Sequence, residues 1–153
     1  MKGLAELLAE HPFFKGLKRE HLEYIATCGT NAVFKPGDYL AREGDEADRF
    51  YVIRHGTVAL ELFVPHRGPI VIQTVREGDV LGWSWLLDPH RWAFDARAVT
   101  LVRAIAFDGA CLRQKCEQDP ELGYELMKRF AQVIAERLKA TRIQLMDVYG
   151  HQR

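Results

Sequence analysis

Hydrophobic and polar positions follow three different rhythms along the chain, and the rhythm changes near residues 29 and 110. Over the first 28 residues, Leu4, Leu7 and Leu8, then Leu22, Ile25 and Ala26, recur at helical spacing, with His11-Pro12 breaking the run. Between them, Phe13-Phe14-Lys15-Gly16-Leu17 predicts a hydrophobic turn linking two short helices. From 30 to 109 the apolar runs shorten to strand length: Phe50-Tyr51-Val52-Ile53, Thr57 to Phe63, Ile70 to Val75, and Val99 to Phe107. Gly-Asp pairs at 37–38, 44–45 and 78–79 punctuate them, and short strands joined by glycine turns predict a sandwich, roll or barrel. Arg-Glu-Gly-Asp occurs twice, at 42–45 and 76–79; aspartate after glycine suits tight turns, so the recurrence is turn chemistry and not a solenoid repeat.

The last third returns to helical spacing. Asp119-Pro120-Glu121 is a start signal: an N-cap aspartate, proline in the first turn, and an acid at the positive end of the helix dipole. About 28 residues of helix would run ~42 Å at 1.5 Å per residue, too long to lie wholly across one small domain. Met127, Ala131, Ile134, Leu138, Thr141, Leu145 and Val148 alternate steps of four and three, a heptad seam. Leu122, Leu126, Phe130 and Val133 form a neighbouring stripe. Two stripes ask for two partners: the chain's own β-layer for one, and a second copy of the helix for the other. A single broad face buried in one core is the competing reading.

Composition narrows the function. The sequence balances 21 basic against 21 acidic side chains, so it lacks the basic excess of a dedicated nucleic-acid binder. No apolar run approaches the ~20 residues of a membrane span, and the start turns acidic too early for a signal peptide. Cys28, Cys111 and Cys116 cannot all pair within one chain; without an export signal they predict reduced thiols in a cytoplasmic protein, with Cys111 and Cys116 buried. The six histidines show no metal-ligand spacing, and neither an acyl-transfer motif nor a Walker-type loop is present, so the reading is a non-enzyme without a metal.

The stretch from Phe34 to Asp45, followed by Phe50 to Val58, resembles the cyclic-nucleotide-binding domain family, with Gly37, Gly44 and Gly56 at that family's turn positions. Gly78-Asp79-Val80-Leu81-Gly82 is similar to the entry of its phosphate-binding cassette, and Asp119 to Val148 resembles the dimerising helix of the bacterial cyclic-AMP receptor and fumarate-nitrate regulator superfamily. The resemblance implies an α+β fold. Its antiparallel double-stranded β-roll, jelly-roll-like, carries N-terminal helices over 1–29, the roll over 30–109 with a cassette at 78–98, and C-terminal helices over 110–149, all in a single domain 1–153. It also implies regulation by cyclic AMP or cyclic GMP and a homodimer through the 120–148 helix.

A cyclic phosphodiester needs a cation and backbone N–H donors, preferably at a short helix N-terminus, and its ribose needs an acceptor. Trp83 stands where the family's ribose-binding glutamate is expected, and Trp92 where its phosphate arginine falls, with Arg91 one place earlier. Arg91 reads either as the phosphate ligand or as a surface arginine packed on Trp92; Arg97 reads as structural. Trp83, Trp85 and Trp92 are either core aromatics or a stacking platform, with His90 and Arg91 near an anion and Asp88 and Asp95 adding opposing charge. By the resemblance, Thr141 contacts the base and Arg142 takes the adjacent place, although Thr141 also fits the seam. The candidate ligand-binding set is therefore Gly82, Trp83, Ser84, Arg91, Trp92, Ala93, Thr141 and Arg142.

Two functions follow. In one, the domain senses a cyclic or related nucleotide and signals through its dimer helix. In the other, the cassette is degenerate, filled by its own tryptophans, and the dimer is a protein-interaction module with a partner the sequence does not name. By the resemblance, a transcription factor of this family would continue past the long helix into a helix-turn-helix domain, and Gly150 stands near such a hinge, so a stand-alone sensor and a shortened chain are both open. No DNA contact is expected of these residues themselves.

Overall fold

Eight strands in two antiparallel sheets form the body of the molecule in the computed structural model, which describes residues 3–150. Met1-Lys2 and His151 to Arg153, the ends of the domain expected over 1–153, lie outside the described residues. Helix α1 (Leu4–Glu10) stops at His11, a 3-10 turn (Pro12–Phe14) follows, and α2 (Arg19–Ala26) leads into the strands. These are β1 (Gly29–Phe34), β2 (Tyr39–Ala41), β3 (Arg49–His55), β4 (Thr57–Val64), β5 (Gly68–Arg76), β6 (Val80–Leu81), β7 (Asp95–Ala98) and β8 (Val102–Asp108). Helices α3 (Gly109–Gln118) and α4 (Pro120–Gly150) complete the chain. One sheet has the order β1-β8-β3-β6, the other β2-β7-β4-β5. This is the α+β double-stranded β-roll with N-terminal helices and a long C-terminal helix that the family resemblance implies.

The roll has two cores because β3 and β8 are buried on both faces. Side chains alternate across a strand, so Phe50, Val52, Ile105 and Phe107 point toward the helices while Tyr51, Ile53, Ala104 and Ala106 point between the sheets. Phe50 pairs with Phe107 across the ladder, and their rings stack 4.8 Å apart. The intersheet core is rich in alanine (Ala96, Ala98, Ala104, Ala106), which leaves room for Trp92 and Phe94. A double-sided strand reads as a continuous apolar run, as Phe50 to Ile53 does.

Two sequence expectations are corrected. The run Val99 to Phe107 is not one strand: the chain crosses from one sheet to the other at Val99–Leu101, where the Thr100 hydroxyl accepts the Thr57 N–H (3.0 Å). Gly56 allows this crossing, since at φ +97° a Cβ there would stand 2.2 Å from the Leu101 carbonyl oxygen. The thiol reading also fails for two of the three cysteines. Cys28 and Cys111 form a disulfide across 83 residues, tying the α2–β1 junction to α3, and only Cys116 keeps its thiol. Burial, with Asp119 and Glu117 nearby, pushes that thiol up to about 11.

Helix α4 starts as its sequence signal requires, with the Asp119 carboxylate accepting the Leu122 N–H (3.2 Å). Leu122, Leu126 and Phe130 are fully buried, and Val133 packs beside them. The heptad seam on the same helix is exposed from Met127 to Val148. No helix among the described residues is long and apolar enough to cross a membrane.

Candidate functional site

The cassette begins where β6 ends. Gly82 adopts φ +101°, and a Cβ at this position would lie 2.6 Å from the Trp92 ring, so only glycine lets the chain turn over that indole. Residues 83 to 87 then form turns in place of a short helix, with Leu86 N–H donating to Trp83 (3.0 Å) and Leu87 N–H to Ser84 (3.4 Å). The helix N-terminus preferred for an anion is therefore absent between β6 and β7.

The three tryptophans separate. Trp85 is fully buried, stacked on Phe50 at 5.5 Å and edge-on to Phe130 at 5.6 Å. Trp92 is buried between the sheets beside Phe94. Trp83 alone lines a chamber of about 480 Å³ between β4, β5, the cassette and α4. Its apolar walls are Leu60, Leu62, Ile72, Ala93, Phe94, Ile134 and Leu138; Gln73, Arg137, Thr141 and Gln144 supply the polar groups.

Three of the eight expected ligand residues, Trp83, Ala93 and Thr141, thus meet at one chamber. Gly82 and Trp92 do not line it; they pack against each other beside the end of β6. Ser84 is half-buried in the turn and Arg142 exposed on α4, and neither lines the chamber. Arg91 also stays outside: its guanidinium donates to the Gly44 carbonyl (3.3 Å), and its backbone forms a bridge with Glu46. Asp95 likewise turns away, accepting the Glu43 N–H (2.7 Å) and facing Arg42 (3.5 Å). Arg97 makes a two-pronged pair with buried Glu61 (3.1 and 3.2 Å) inside the second sheet, a bracing role.

The cation that does reach the chamber is Arg137, which the sequence reading passed over. Its guanidinium lies over the Trp83 ring, 4.9 Å from the centroid, and donates to the Val80 carbonyl through Nη2. Its Nη1 is buried without a hydrogen-bond partner. An unsatisfied buried donor costs about 1–3 kcal/mol, more for a charged group, while stacking on the indole returns about 1–2 kcal/mol. Burial lowers Arg137 to about 10, partly offset by Asp79 and Glu136, so the side chain is still a cation at neutral pH. A signal for it existed: Arg137 lies one turn before Thr141, on the same face of α4. The segment is held by amides. Gln73 Nε2 donates to the Arg137 carbonyl (3.1 Å) and to the Thr141 hydroxyl (3.4 Å), and Gln144 Nε2 donates to Ile72 (3.1 Å). The result is a mostly apolar chamber with one cation among its lining residues.

Residues 32–119 match the family model described as the cyclic nucleotide-binding domain. The chain belongs to the cyclic nucleotide-binding domain family. That is a regulatory family, and the matched stretch carries the roll and cassette but stops just before α4. A "CRP-like cAMP-activated global transcriptional regulator" of Mycobacterium tuberculosis is 27% identical over 143 residues, covering 94% of this chain and 62% of that protein. This cyclic nucleotide-binding domain therefore spans about three-fifths of the length of that curated relative. Among solved structures, a Geobacter metallireducens protein described as cyclic nucleotide-binding shares 30% identity and a TM-score of 0.77, covering 90% of this chain and 99% of that one. A cyclic nucleotide-binding domain from Methylobacillus flagellatus, at 19% identity and TM-score 0.80, covers 94% and 81% and shares the fold.

Proposed function

We propose that the chain is a ligand-sensing regulatory domain that binds a cyclic nucleotide, cyclic AMP or cyclic GMP, in the chamber beneath α4 and signals through a homodimer formed along the 120–148 helix. The observation that carries this reading is that one stretch of α4 serves both surfaces. Ile134, Leu138 and Thr141 line the chamber and also belong to the exposed heptad seam. A ligand touching them has differential contact with the helix that would meet a second copy, which is what a shift between two subunit arrangements needs. The reading assigns no chemistry to the domain and no DNA contact to these residues, and it places the protein in the cytoplasm. There the Cys28–Cys111 bond would face a reducing thiol pool.

Titration calorimetry with cyclic AMP and cyclic GMP, paired with sedimentation with and without ligand, tests it. Binding at micromolar ligand together with a dimer supports the reading; a monomer indifferent to both nucleotides overturns it. The second reading, a degenerate cassette in a dimeric protein-interaction module, is favoured by the outward-turned Arg91 and by Trp83 already covered by Arg137. A dimer silent to both nucleotides would support it.

A further inference from the structure

The chamber's polar end is built from the helix and not from the loop. Arg91, the only arginine between β6 and β7, spends its guanidinium on the Gly44 carbonyl. Arg137 is the one cation among the chamber's lining residues, and it also lines another cavity of about 490 Å³ with Asp79 and Glu136. Among the described residues no carboxylate stands within ion-pair distance of it, and its Nη1 carries a buried hydrogen with no acceptor.

We propose, resting on the functional reading above, that Arg137 is the residue that holds the ligand's negative charge, taking from α4 the role a cassette arginine would otherwise fill. A guanidinium offers planar, paired donors to a phosphate. Here one donor is already desolvated and unspent, so an anion entering the chamber supplies the missing acceptor without first stripping water from that group. Its flat face lies over Trp83, which fixes the orientation of the fork. Charge recognition then sits on the dimerising element itself. An anionic ligand is bound between sheet and helix, whereas a neutral ligand of the same shape lacks the contact that would draw the helix inward.

Calorimetric titration of the full chain with cyclic AMP and cyclic GMP decides the matter, using Arg137→Met, Arg137→Lys and Arg91→Ala. Methionine keeps an apolar stem against Trp83 and removes the charge. The expectation is a loss of about 10- to 100-fold in Arg137→Met, the scale of one charge-assisted hydrogen bond, with Arg137→Lys retaining part of the affinity and Arg91→Ala within twofold of the parent. A tenfold loss in Arg91→Ala overturns the assignment, and so do equal affinities in the Met and Lys variants, which would mark a packing role. If Arg137→Met does not fold, Arg137→Lys and Arg91→Ala still rank the two arginines, and the more damaging change identifies the anion holder. Failure of the parent chain to bind either nucleotide is a separate result: it removes the functional reading, and this assignment with it.

Discussion

Up to Phe130, α4 lies against the helical layer and the first sheet. Its Leu122, Leu126 and Phe130 are fully buried, and the Phe130 ring meets Phe13 at 4.9 Å, Phe50 at 5.2 Å and Trp85 at 5.6 Å. From Ile134 onward the same helix keeps its apolar period but leaves much of it in solvent: Leu138 is 59% exposed, Leu145 54% and Met146 71%. What holds this second half to the roll is mainly polar, through Gln73, Gln144 and the Arg137–Val80 contact. The difference separates two jobs within one element. The first half is anchored in the core, and the second has few buried apolar contacts, as elements of low local stability do.

Phe130→Ala strikes the docked half of α4 hardest and should cost about 3–5 kcal/mol in denaturant unfolding. A loss under about 1 kcal/mol would mean the docked half is not the anchor described here. Reducing the Cys28–Cys111 disulfide comes next, at about 2–4 kcal/mol, because it releases a long loop and frees α3. That helix abuts the start of α4, where Gly123 passes so close to Cys116 that a Cβ would lie 3.0 Å from its carbonyl oxygen. Midpoints with and without dithiothreitol give this value.

Acid should loosen the docked half by a smaller amount. His11 is buried beside the 3-10 turn that carries Phe13; its Nδ1 accepts the Phe13 N–H (3.2 Å) and its Nε2 donates to the Ile53 carbonyl (3.0 Å), an arrangement only the neutral ring can make. Desolvation holds its pKa below the ordinary 6.5. Below pH 6.5 the unfolded chain takes up a proton that the folded chain excludes, so stability falls as pH drops toward the folded value and is unaffected by this group above 6.5. Melting temperatures between pH 7.5 and 5 should decline in the parent and decline less in His11→Gln. The smallest effect on stability belongs to the free half: Leu145→Ala should change unfolding by under about 0.5 kcal/mol while shifting a dimer toward monomer in sedimentation. A large stability loss there would erase the distinction between the halves.

Features carried by local chemistry were legible in the sequence. The start of α4 could be read from Asp119-Pro120, its two stripes from their period, and the turns from Gly37, Gly44, Gly56 and Gly78, all at positive φ. Features that depend on distant partners were not. Strand β1 spells Gly-Thr-Asn-Ala-Val-Phe, with too little apolar alternation to announce itself, and exists by pairing with β8 about seventy residues away. The pairing of Cys28 with Cys111 likewise belongs to the folded chain. At the chamber, Trp83, Ala93 and Thr141 are lining residues that the sequence also singles out. Arg137 and Arg91 look alike as letters, and only the packing of Trp83 beneath α4 and the bridge of Arg91 to Glu46 decide which faces inward.

The separation of the three indoles has an optical consequence. Trp85 and Trp92 are sealed in apolar cores and should emit as two constant, blue-shifted backgrounds. Trp83, half-buried under a guanidinium at the chamber wall, is the one fluorophore whose quenching changes when that cation moves or a ring stacks nearby. The protein thus carries its own reporter of chamber occupancy, and Trp83→Phe would silence that signal while leaving the other two lamps lit.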